Sequence, residues 1–136
     1  MFAALATTAE QRMGDFNSQD LANAAWAFAT ADQSDASMFA ALATAAKQRM
    51  GDFSSQNLAN AAWAFAMADQ SDASLFAALA TAAEQCMGDF NSQELANTVW
   101  AFATEGRNDT SLFSAAAITS EQCMGNFSPA DLLKFL

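Results

Sequence analysis

Polar chemistry in this chain is concentrated at two recurring places. Glu10-Gln11-Arg12, Lys47-Gln48-Arg49, Glu84-Gln85-Cys86 and Glu121-Gln122-Cys123 stand at equal steps of 37 residues, and Asn23, Asn60 and Asn97 repeat at the same step. Arginine, lysine and glutamine offer donors for phosphates or base edges, and an asparagine amide both donates and accepts. In the first series the charged members change from copy to copy while their surroundings repeat, as expected of positions that read a ligand. The same residues on an exposed helix face are more often simply solvated, and an inter-helix hydrogen bond accounts equally well for the asparagines.

Catalytic groups are scarce. The chain has no histidine, which removes histidine general bases, catalytic triads and histidine-ligated zinc. Its carboxylates follow the repeat, with no unique pair set apart as an acid and a base, and no glycine-rich phosphate or dinucleotide fingerprint is present. The chain is therefore expected not to be an enzyme and to need no cofactor or metal. Cys86 and Cys123 occupy equivalent positions of neighbouring units, which stacked helices would hold about 8 to 10 Å apart, beyond disulfide reach. Reduced thiols in an intracellular compartment are expected.

Those residues are carried by a 37-residue repeat. Met1, Met38, Leu75 and Leu112 align without insertion, as do Trp26, Trp63 and Trp100. The units are 1–37, 38–74, 75–111 and an incomplete 112–136. Units 1 and 2 differ only at Thr8/Ala45, Glu10/Lys47, Asn17/Ser54, Asp20/Asn57 and Thr30/Met67. Near-identical tandem units of this length define a solenoid. The array is read as one domain and a fragment of a longer protein, because Met1 falls inside a repeat and Leu136 falls midway through a second helix.

Within unit 2, Phe39, Leu42, Ala43, Ala46 and Met50 keep helical spacing, predicting a first helix from about Ala36 to Arg49 that Gly51 closes in a left-handed cap. Ser54 then caps a second helix, with Asn57 at its third position and Phe53 stapled onto Leu58. The same device recurs at Phe16/Asn17/Asp20/Leu21, Phe90/Asn91/Glu94/Leu95 and Phe127/Ser128/Asp131/Leu132, the last with Pro129 at the first helical position. The second helix is apolar on two sides, with Leu58, Ala61, Ala62 and Phe65 on one and Ala59, Trp63 and Met67 on the other, so stacked neighbours must cover it. The tryptophans and phenylalanines are accordingly expected in the core, where truncating Trp63 would cost about 3 to 5 kcal/mol. A ligand would then lie in a groove lined by the first helices.

Composition agrees with an all-α class, an α-solenoid of stacked antiparallel two-helix repeats. The chain of 136 residues is 53% hydrophobic, with 12 Phe and 3 Trp among many alanines. A net charge of -10 argues against a protein that holds nucleic acid by general electrostatics. Apolar runs such as Ala36 to Ala46 fall short of the roughly 20 residues that span a bilayer, so no membrane segment is expected. No basic leader followed by an apolar run opens the chain, so no targeting peptide is expected within it. Acids at turns (Asp15, Asp52, Asp89), near helix starts (Asp35, Asp72, Asp109) and in first turns (Asp20, Glu94, Asp131) complement helix dipoles, and account for part of the charge.

The run Phe16-Asn17-Ser18-Gln19-Asp20-Leu21-Ala22-Asn23-Ala24-Ala25-Trp26-Ala27-Phe28-Ala29, echoed by Phe53 to Ala66 and Phe90 to Ala103, resembles the octotricopeptide repeat. Related repeats occur in RAP-domain and FAST-kinase-like proteins. The resemblance covers essentially the whole chain. It implies an α-solenoid that binds single-stranded RNA and influences RNA processing, stability or translation in a chloroplast or mitochondrion. The RNA-binding candidates are Gln11, Arg12, Lys47, Gln48, Arg49, Gln85, Asn23, Asn60 and Asn97. If each unit read one nucleotide, units 1 and 2 would prefer nearly the same one. The alternatives are a protein-interaction scaffold whose acidic surface attracts a basic partner, and a spacer without a ligand. Half-repeats at the two ends could also associate end to end.

Overall fold

The computed structural model describes residues 2–31, 35–70, 72–106, 112–114 and 116–117. They form helices α1 (Phe2–Gln11), α2 (Ser18–Thr30), α3 (Ala36–Gln48), α4 (Ser55–Met67), α5 (Ala73–Gln85) and α6 (Ser92–Thr104), with further helical residues at 112–114 and 116–117. No strand occurs among the described residues. The fold is all-α, with adjacent helices packed on one another as in an α-solenoid. The Phe127 to Leu132 device, Gln122, Cys123 and Asp109 lie outside the described residues.

The second helices start where the capping residues predict. The Asn17 side chain accepts from the Asp20 N–H at 2.8 Å while the Asp20 carboxylate accepts from the Asn17 N–H at 3.1 Å, and Asn91 and Glu94 repeat the exchange at 2.7 and 3.1 Å. Ser54 accepts from the Asn57 N–H at 3.1 Å. In the first helices, Asp35 accepts from the Met38 N–H and Asp72 from the Leu75 N–H, each at 2.9 Å. Each such bond satisfies an N–H that the helix itself cannot.

The first helices end differently from expectation. Gly51 is not a left-handed cap: α3 passes through Arg49 into a 3-10 turn at Met50–Asp52, matched by Met13–Asp15 and Met87–Asp89. The bonds Asp52 N–H to Arg49 O at 2.9 Å and Phe53 N–H to Met50 O at 3.2 Å tighten the chain without a positive φ. The left-handed residues close the second helices instead. Asp69 (φ 57°) and Gly106 (φ 69°) occupy equivalent positions, and the Gln70 N–H reaches back to the Phe65 carbonyl at 3.0 Å.

Phenylalanine welds the two helices of units 2 and 3. Phe39 meets Phe65 edge to face at 5.2 Å, and Phe76 meets Phe102 at the same distance, all four being buried. Leu42, Leu58, Leu79 and Leu95 fill the same core. Between units the two layers differ. The backbones of α2, α4 and α6 approach closely along their length through buried Ala22, Ala25, Ala59, Ala62 and Ala96, whereas α1, α3 and α5 touch at few positions. The second helices thus form the tighter layer of the stack, and the first helices the more open one.

Tryptophan is the other departure. Trp26 is 46% exposed, and Trp63 and Trp100 are only partly buried. The apolar series Ala59, Trp63 and Met67 is split, with Ala59 buried between helices and Met67 49% exposed. A bulky indole cannot enter an alanine seam this tight, so it leans over the rim and leaves one face toward solvent.

Candidate nucleic-acid interface

The sequence-derived candidates fall into two groups on different layers. Gln11, Arg12, Lys47, Gln48, Arg49 and Gln85 lie at the ends of the first helices. Asn23, Asn60 and Asn97 lie on the second helices, beside the tryptophans.

Two of the three described basic side chains serve the joints between units. The Arg49 guanidinium donates to the Gly14 carbonyl of the preceding unit at 3.0 Å. Lys47, on α3, donates to the Ser74 hydroxyl in the first turn of α5 at 2.6 Å and lies 3.9 Å from the carboxylate of Asp72, which caps α5, so it ties one first helix to the next. Partial burial raises the Asp72 pKa, but the Leu75 N–H, the Ser74 hydroxyl and the Lys47 charge outweigh it, leaving the carboxyl below its ordinary value. Ser18 adds a further link, donating to the Asp52 carbonyl at 3.2 Å and accepting from the Asn57 amide at 3.4 Å. The charge variation in this series thus tunes how units join. Glu10 and Lys47 are equivalent positions, and so are Arg49 and Cys86.

Gln48 and Gln85 remain exposed and line two equivalent open grooves. One, of about 310 Å³, is bounded by Met13, Gly14, Thr44, Gln48 and Arg49; the other, of about 330 Å³, by Met50, Gly51, Thr81 and Gln85. Two alanines and one methionine supply the apolar part of each wall. Cys86 is a free, half-buried thiol that donates to the Ala82 carbonyl at 3.3 Å. Burial first, then the nearby Asp89 and Glu94 charges, push its pKa up.

On the second-helix layer the repeat presents a continuous stripe. Gln19, Asn23, Trp26 and Thr30 follow one helical face, repeated by Gln56, Asn60, Trp63 and Met67, and by Gln93, Asn97, Trp100 and Thr104. None of the twelve is buried, and none is charged. The Trp26 and Trp63 rings lie 6.4 Å apart at a 32° tilt. Asn23 and Asn60 therefore belong to a surface, as candidates should, while the tryptophans beside them were assigned to the core. The missed signal was the pair of amides three and seven residues before each Trp: an apolar seam would not carry glutamine and asparagine on the same face.

Stacked two-helix units with an uncharged amide and indole surface define a helical-repeat protein that presents its chemistry along the array. Among the described residues no group of carboxylates and thiols could hold a metal ion. The chain belongs to the RESC6 family, the RNA-editing substrate-binding complex 6 protein family, whose model matches residues 1–136. No curated protein matches it. Membership gives the chain an RNA-related role of the kind an RNA-editing complex carries out. None of the described helices is long and apolar enough to cross a membrane.

Proposed function

We propose that this chain is a non-enzymatic helical-repeat module that binds single-stranded RNA within an RNA-editing substrate-binding assembly. The observation that carries the reading is the family match, which spans all four repeat units. The fold supports it, since a stack of near-identical units offers a linear ligand the same chemistry at each step. An organellar setting and a kinship with octotricopeptide repeats follow from the sequence resemblance and belong to the same proposal.

The assignment is tested by anisotropy of fluorescent RNA homopolymers with the purified chain, at low and near-physiological salt. Saturable binding with one base preferred is expected, since units 1 and 2 are nearly identical. Absence of binding at both salts would overturn RNA as the ligand of this segment.

A second reading, an acidic scaffold for a protein partner, is favoured by the engagement of Lys47 and Arg49 in joints. It predicts capture of a basic protein partner that weakens when Asp15, Asp52 and Asp89, exposed on the turns, are neutralised together.

A further inference from the structure

We propose, building on the RNA-binding reading above, that the second-helix stripe is where RNA bases are held. In this arrangement a base stacks on the indoles of Trp26 and Trp63 while Asn23 and Asn60 bond its edges. The first-helix ends, where charge had suggested a site, are joints.

Accessibility is a property of the array and not of its first unit. Trp63 is flanked on both sides by second helices, α2 and α6, yet remains only partly buried, as does Asn60 between the same neighbours. The ring separation suits a base. Stacked bases rise about 3.4 Å per step, so a base held between two rings needs about 7 Å. The Trp26 and Trp63 ring centroids stand 6.4 Å apart at a 32° tilt, so a base would enter as the two rings move slightly apart and turn parallel. Stacking of splayed bases on aromatic rings, with polar groups bonding their edges, is the base-directed part of single-strand recognition.

Charge singles out this face for a polyanion. The chain carries a net -10, but the stripe has no ionised side chain, and two carboxylates beside it in sequence, Asp20 and Glu94, are turned back onto the N–H groups of Asn17 and Asn91. A phosphate backbone meets least repulsion here. A basic protein would instead seek the turn carboxylates. Variation points the same way: of the five positions that differ between units 1 and 2, Thr30/Met67 lies on the stripe itself, next to an otherwise constant Gln, Asn and Trp.

The chain reports on its own stripe, because its only three tryptophans lie there and it has no tyrosine. Short single-stranded oligo(U) and oligo(A) would be titrated into the full chain while intrinsic fluorescence and RNA anisotropy are followed together, for the wild type, Trp26→Ser, Trp26→Phe and Trp63→Phe. Circular dichroism melts establish that each variant folds. The expected result is saturable quenching that parallels the anisotropy, about tenfold weaker binding for Trp26→Ser, substantial recovery in Trp26→Phe, and a shallow salt dependence. Anisotropy without quenching, and unchanged in Trp26→Ser, would leave the RNA reading standing and overturn the stripe, reassigning it to protein docking. No RNA binding by the wild type would sink both.

Discussion

The guanidinium of Arg49 reaches across the seam between the first two units and donates to the carbonyl of Gly14, 3.0 Å away. This bond makes a candidate ligand contact into a structural clasp. Arg49→Ala should lower stability by about 1 kcal/mol, a charge-assisted bond discounted for its partial exposure, and should leave RNA affinity within about twofold. Thermal melts and anisotropy on the same preparation check both. A loss of affinity with no loss of stability would return Arg49 to the ligand site.

The clasp is replaced one unit later by a thiol. With its pKa raised, Cys86 should alkylate more slowly than a free peptide thiol at neutral pH, and the rate should climb only as pH passes above the usual thiol range. Iodoacetamide kinetics followed by peptide mass at Cys86 measure this. Modification at the rate of an exposed peptide thiol would contradict the half-buried position.

Asp72 joins a helix cap to the Lys47 contact. Because its folded pKa lies below its ordinary value of about 3.9, its contribution is fully present above that pH and is lost as pH falls through the folded value. Asp72→Ala should cost about 1 kcal/mol at pH 7 and less at pH 3. Chemical denaturation at the two pH values tests the sign, and an equal cost at both would refute the cap.

Asp69 holds a left-handed conformation that Gly106 holds in the next unit. Asp69→Gly should therefore stabilise the chain by about 0.5 to 1 kcal/mol, against the usual cost of introducing glycine. Denaturant midpoints decide it, and a lower midpoint would show that the aspartate makes a compensating contact.

Core and rim aromatics should separate cleanly. Phe65→Ala removes a buried ring in edge-to-face contact with Phe39 and should cost about 3 to 5 kcal/mol. Trp63→Ala, from a partly exposed rim, should cost about 1 to 2 kcal/mol, below the figure expected for a core tryptophan. Similar losses for the two would return Trp63 to the core.

What the sequence alone determined was local or periodic: the 37-residue register, the two-helix unit, and the caps at Asn17, Ser54, Asp72 and Asn91. These follow from spacing and from side chains that bond their own neighbours, so they need no knowledge of the stack. The tertiary structure decided which apolar residues are covered. Leu58, Phe65 and Trp63 look alike in a hydrophobic pattern, but the alanine seam between second helices admits no indole, so Phe65 is buried and Trp63 lies at the rim. It also decided which polar residues are free to meet a ligand. Arg49 and Lys47 resemble solvated cations until stacking brings Gly14 of the turn before α2 within reach of one, and Asp72 and Ser74 at the start of α5 within reach of the other, distances that depend on how closely neighbouring hairpins pack and not on either helix's own sequence.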